Sequence, residues 1–214
     1  MNYETVAMEK EGGVVILTLN RQDVFNAINS KMAEEAEAVI REVAEDDATR
    51  VLIITGAGRG FCSGIDVSDL AAATERPLME TVIGRVMRGE ASVFSVPQKV
   101  RSLDKPVIAA INGVTIGAGL CLALACDIRI ASEDARLGTM FIKRGLIPDC
   151  GGTYFMAQLI GTAKACELAF TGDMITAAEA ERIGLVNRVV PKEELMKEAK
   201  ELGSRIAQNP PLAL

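Results

Sequence analysis

Four short apolar runs, each closed by polar or glycine-rich residues, set the terms for any fold this chain can adopt. They are Val14–Leu19 (VVILTL), Val51–Ile54 (VLII), the VIAAI segment opened by Pro106, and Asp127–Ala131 (DIRIA). Their β-branched content and length mark them as strands. Helical periodicity fills the intervals. Ala33, Ala36, Val39, Ile40 and Val43 fall on one face behind Ser30, read as an N-cap with Glu34 and Glu35 in the first turn. The apolar segment LCLALAC follows the third strand. Residues 71–104 read as helical pieces with mobile flanks, broken near Pro97.

The second half is mostly helical. Gly152–Ile160 ends at Gly161, and Ala163–Phe170 ends near Gly172. Thr176 and Glu179 form a capping-box pattern for a short helix to Arg182 that stops at Gly184. Val186–Val190 reads as a last strand, and Pro191 opens a helix to about Gln208. No repeat, low-complexity tract or linker interrupts this order, so the chain reads as one α/β domain.

Composition removes whole classes of function. The 214 residues contain no His, which excludes triads with a His base and imidazole-ligated metals. Trp is absent and Tyr and Phe number 2 and 6, too few for a base-stacking platform. The net charge of −6 argues against nucleic acid as a partner. No run approaches the roughly 20 apolar residues of a membrane span. The start MNYETVAMEKEGG lacks a signal-peptide pattern, so the expected location is cytoplasmic. The five Cys include no C-x-x-C pair and read as reduced core thiols; Cys121 and Cys126 would face different ways on a helix.

Chemistry is expected where strands end in glycine-rich turns, because unpaired N–H groups gather at the helix starts that follow. Two such turns stand out: Gly56–Asp66 (GAGRGFCSGID) and Asn112–Leu122 (NGVTIGAGLCL). Neither satisfies G-x-G-x-x-G, since Phe61 and Leu122 occupy the third glycine position. No Walker-type GK[ST] is present. Cys62 imitates a nucleophile elbow, but without a His to activate it a buried side chain is the better reading. Glycine lets backbone N–H groups approach a substrate oxygen, so one donor from each turn could make an oxyanion hole. The alternative is that both turns are merely tight connections.

GRGFCSGIDVSDL, KPVIAAINGVTIGAGLCLALACDIRIAS, GLIPDCGGT and FTGDMITAAEAERIGLVNRVVP together resemble the crotonase (enoyl-CoA hydratase/isomerase) family, in order and spacing, from Val14 to the chain end. The resemblance implies an α/β spiral of ββα units: an acyl-CoA-binding core over residues 1–190, and from 191 the start of a helical C-terminal region cut short at Leu214. It implies an acyl-CoA thioester partner and a homotrimer or dimer of trimers, with no cofactor beyond the CoA moiety. Carried over by position, the oxyanion donors are the amides of Ile65 and Ala118. Phe25, Ala27, Cys62, Ser63, Asp66 and Val67 fall at the adenine and pantetheine contacts, and Arg21 falls near the phosphates. Arg21, Lys31 and Arg59 are the cations in that region.

Two departures from the resemblance are informative. The positions of the two hydratase glutamates hold Cys121 and Phe141. Hydration needs a carboxylate to deprotonate water and an acid to protonate carbon, which neither side chain supplies. Asp149 in GLIPDCGGT matches family members that shift double bonds or attack the acyl group, though P-D-x-G also suits a turn whose Asp caps the next helix. With Met140, Phe141, Ile142 and Cys121 as apolar lining, Asp149 would act as a strengthened base in a shift from 3-enoyl-CoA to 2-enoyl-CoA. The rivals are a residual hydratase, a nucleophilic hydrolase or dehalogenase-like enzyme, and a catalytically silent CoA-thioester-binding subunit.

Overall fold

In the computed structural model the described residues are 3–67 and 92–214. The apolar runs become the centre of a six-stranded sheet. Its strands are β1 (Val6–Glu11), β2 (Val14–Leu19), β3 (Val51–Gly56), β5 (Val107–Ile111), β7 (Ile128–Ser132) and β10 (Arg188–Val190), in the order β1-β2-β3-β5-β7-β10. β1 is antiparallel to β2, and the remaining neighbours are parallel. A second sheet joins β4 (Gly60–Cys62), β6 (Val114–Ile116), β8 (Arg136–Gly138) and β9 (Met174–Thr176) in that order. Three times the chain leaves the large sheet for the small one, from β3 to β4, β5 to β6 and β7 to β8. The helices α3 (Ala118–Ala125) and α4 (Gly152–Thr171) follow the second and third of these pairs. This is the expected ββα spiral.

Alternation along the strands explains why their sequences are apolar throughout. Val15, Leu17, Leu19, Leu52, Ile54, Val107, Ala109 and Ile111 share one core with Met32, Ala33, Ala36, Val39, Ile40 and Val43 of α1 (Ser30–Glu45) and with Leu120 and Leu122–Ala125 of α3. The intervening residues Val14, Ile16, Val51, Ile53, Ile108, Ala110 and Ile130 pack with Leu195 and Ala199 of α6 (Leu195–Ala207). A parallel sheet covered on both faces has no polar side to present. Each buried Val, Leu, Ile or Met among them stabilises the fold by roughly 1.5–3 kcal/mol relative to exposure. The C-terminal helix is thus part of the core. Arg129, itself buried, stitches β7 to the connection before β10, donating to the carbonyls of Leu185 (2.9 Å) and Cys126 (2.6 Å).

Several boundaries differ from the sequence reading. The N-cap of α1 is Asn29 rather than Ser30: the Asn29 Oδ1 accepts from Met32 N at 2.9 Å. Pro97 begins a helix instead of breaking one, sitting in the first turn of α2 (Val96–Arg101), where its missing N–H costs nothing. The rest of 71–104, up to residue 91, lies outside the described residues. Only half of the capping box forms. Thr176 accepts from Glu179 N (3.1 Å) at the start of α5 (Ala177–Arg182), but the Glu179 carboxylate turns to Arg182. Gly161 (φ 74, ψ 156) divides α4 into two arms where the first helix was expected to end. The strand expected from Val186 starts at Arg188. All five Cys are free thiols, four of them buried. Asn29→Ala should cost about 1 kcal/mol by removing the cap of α1; a urea titration should show a lower midpoint at unchanged slope.

Candidate active site

The two glycine-rich turns fold against each other, backbone on backbone. Gly64 (φ 101) closes the first; a Cβ there would stand 3.1 Å from the Ile116 carbonyl oxygen and 3.6 Å from Ala118 N. In the second, Gly117 adopts φ 56 and ψ −122, a conformation that L side chains resist. Gly119 presses on the preceding turn so closely that a Cβ would lie 2.2 Å from the Cys62 carbonyl oxygen. The first turn is held by Ile28, whose N–H donates to Gly64 O (2.7 Å) and whose carbonyl accepts from Asp66 N (2.9 Å). That pairing leaves the Ile65 N–H directed away from Ile28. Ala118 begins α3 and has no acceptor within its helix. Among the described residues, neither amide has a hydrogen-bond acceptor.

Beside these amides lies a small apolar cluster of Ala118, Cys121, Phe141 and Cys150, flanked by Ile65 and Phe94. It joins two of the four expected lining residues, Cys121 and Phe141. Met140 (φ 47) lies outside it, against Gly138 next to Met174, and Ile142 is half exposed over Gly172. Cys121 and Phe141, which the resemblance sets at the hydratase glutamate positions, are both buried in this wall.

Asp149 borders this wall. Its carbonyl accepts from Gly152 N (2.7 Å) and from the Cys121 thiol (3.4 Å). One carboxyl oxygen, Oδ1, is buried with no hydrogen-bond partner among the described residues. Burial pushes the carboxyl's pKa above its ordinary value; the Cys150 thiol and the backbone oppose that shift without cancelling it. The helix-cap reading of Asp149 fails: the N-cap of α4 is Gly151 (φ 81), and among the described residues no side-chain hydrogen bond caps that helix. Burial also raises the thiols. Cys62 is pushed up to about 12, and Cys121 and Cys150 are raised further by the Asp149 charge. None of the three offers a thiolate at neutral pH.

The residues placed at the CoA contacts gather around the first turn. Arg21 is already committed, donating to Ala27 O (2.7 Å) and to Asp66 Oδ2 (2.8 Å). Ser63 donates to Val24 O (2.9 Å), the Cys62 side chain is fully buried, and Val67 is exposed. Phe25 (φ 51) carries the Arg59 guanidinium 5.1 Å above its ring, and Lys31 pairs with Glu4 and Glu35. Sequence reasoning missed two asparagines that shape this turn. Buried Asn26 donates to Ala57 O (3.0 Å) and Gly60 O (2.8 Å), and Asn112 accepts from Gly56 N (3.1 Å). The Asn112-Gly113 pair was the available signal. Phe94 had none.

Comparison with known proteins identifies the family. The profile described as enoyl-CoA hydratase/isomerase matches residues 9–214. The chain belongs to the enoyl-CoA hydratase/isomerase family. It is 41% identical to the short-chain-enoyl-CoA hydratase of Clostridium acetobutylicum, over 100% of this chain and 79% of that protein. It is 38% identical to the 1,2-epoxyphenylacetyl-CoA isomerase of Escherichia coli, over 99% and 79%. An enoyl-CoA hydratase structure from Bacillus anthracis superposes with a TM-score of 0.89 at 37% identity, covering 98% of this chain and 79% of that one. A monofunctional enoyl-CoA isomerase from M. smegmatis gives 0.80 at 35%, covering 98% and 88%. Hydratases and isomerases of the family thus share this fold.

Among the described residues no helix is long and apolar enough to cross a membrane. Gly119→Ala should drive the two turns apart: we expect destabilisation of about 1–3 kcal/mol or more, read as a lowered melting temperature, together with loss of acyl-CoA affinity in calorimetry.

Proposed function

We propose that this family member shifts the double bond of a 3-enoyl-CoA to the 2-position, with Asp149 carrying the proton. The substrate's thioester oxygen accepts from the amides of Ile65 and Ala118. Asp149 removes the α-proton, and the electron pair moves onto the thioester oxygen as a dienolate. The carboxyl then returns the proton to the γ-carbon, leaving the 2-enoyl thioester. Charge develops on the oxygen faced by the two amides, where pre-set donors act most strongly; one such donor is worth about 3–4 kcal/mol of barrier. The reaction needs no cofactor beyond the CoA moiety of the substrate.

The observation that carries this reading is the buried, unpartnered Oδ1 of Asp149 at the edge of an apolar wall. A carboxyl serving only packing or capping would have found donors for both of its oxygens. The substitutions at 121 and 141 weigh against hydration, which needs a second carboxylate. The reading includes assembly of copies as a trimer, supported by the exposed apolar side chains Ile147 and Phe170, with sedimentation as its check.

Asp149→Asn should abolish isomerisation while leaving thioester binding intact; unaltered turnover removes Asp149 from the mechanism. A panel of 3-enoyl, 2-enoyl and cyclic enoyl thioesters, followed by absorbance and mass, separates isomerisation from water addition, hydrolysis and silence. The base works ionised, so kcat/KM should fall as pH drops through its raised pKa, on a limb above the ~3.9 of an ordinary Asp. The same shift has a cost in stability. A carboxyl with a raised pKa contributes stability below its unfolded pKa and loses it as pH rises through the folded one. Asp149→Asn should therefore melt higher than the parent at neutral pH, by differential scanning calorimetry.

A further inference from the structure

Cys121 stands where the resemblance places the first hydratase glutamate, and the proton shift gives it no part. Its surroundings give it one. The thiol donates to the carbonyl oxygen of Asp149 at 3.4 Å, the same oxygen that accepts from Gly152 N. Gly152 makes room for it: a Cβ on that glycine would lie 2.8 Å from the Cys121 sulfur. Cys121 is also the fourth residue of α3, three after Ala118, so both lie on one helix face. Its own amide is secured by Gly117 O (3.0 Å).

We propose that Cys121 is a positioning residue: its thiol fastens the Pro148–Gly152 turn to α3, so that the carboxyl of Asp149 and the amide of Ala118 are held in one fixed relation. The inference rests on the proton-shift reading above. One rigid helix then carries both the donor for the substrate oxygen and the anchor for the base. The groups facing Asp149 are the thiols of Cys150, beside it in the chain, and Cys121 from α3. Cys62 from β4 reaches both thiols electrostatically. A carboxylate at position 121 would set two negative charges side by side, so a thiol here and an acid at 149 are chemically matched. The backbone at Cys150, at φ 48 on a side chain larger than glycine, shows that the turn does not rest in a relaxed shape by itself.

The test uses the full chain with a 3-enoyl-CoA substrate. Cys121→Ala and Cys121→Val remove the donor, one vacating the space and one keeping it filled, and Cys121→Ser restores a donor. A base displaced by a fraction of an ångström loses rate more than affinity, so kcat should fall about tenfold or more in the donor-less variants at nearly unchanged KM, with serine recovering much of it. Two results overturn the proposal: serine performing no better than alanine and valine, or the donor-less variants retaining the parent's kcat. Loss of thioester binding in step with kcat in all three variants, a packing effect, overturns it as well. Asp149→Asn assayed alongside keeps the two readings apart. If it retains turnover the proton-shift reading has failed; if it is inactive while alanine and valine at 121 are unimpaired, only the positioning role has.

Discussion

The contact on which the site depends is that of one main chain lying directly on another. Gly119 sits on the carbonyl of Cys62 and Gly64 beside the amide of Ala118, with no side chain between them. Strands of the large sheet deliver both turns to the same end, since β3 and β5 are parallel neighbours. The short strands β4 and β6 then pair and fix their separation. Position is therefore set by hydrogen-bonded ladders, which are stiffer than any side-chain arrangement, and the amides of Ile65 and Ala118 inherit that stiffness.

The wall beside them obeys a different logic. Phe141, Cys121 and Cys150 exclude water, and exclusion raises the proton affinity of Asp149, whose charge reaches both thiols. Desolvation makes a carboxyl a better base and a worse structural element at once. Hydratases and isomerases share this scaffold, and in the proposed reading the side chains at 121, 141 and 149 select the proton transfer it supports.

Much of this was legible in sequence because periodicity and glycine are strong local signals. The four apolar runs became strands β2, β3, β5 and β7, and the helix breaks at Gly161, Gly172 and Gly184 fall at residues with positive φ. The small sheet was illegible: three-residue strands such as Val114–Ile116 and Met174–Thr176 are too short for a period to register. β1 escaped because VAMEKE alternates weakly and earns its place by pairing with β2. The lining failed in part for a related reason. Met140 and Ile142 flank Phe141 in sequence, but the backbone reverses at Met140, with φ 47, so the three neighbours face different ways. The lone oxygen of Asp149 could not be read at all, since it depends on what tertiary packing withholds.

The lower face of the large sheet has one further implication. Val14, Ile16, Val51, Ile53, Ile108 and Ala110 are covered by Leu195 and Ala199, which the ribosome makes last among them. During synthesis that greasy surface stays bare long after the strands can pair, and bare parallel strands invite association with other chains. That exposure ends only when Leu195–Ala207 emerges and closes over the sheet.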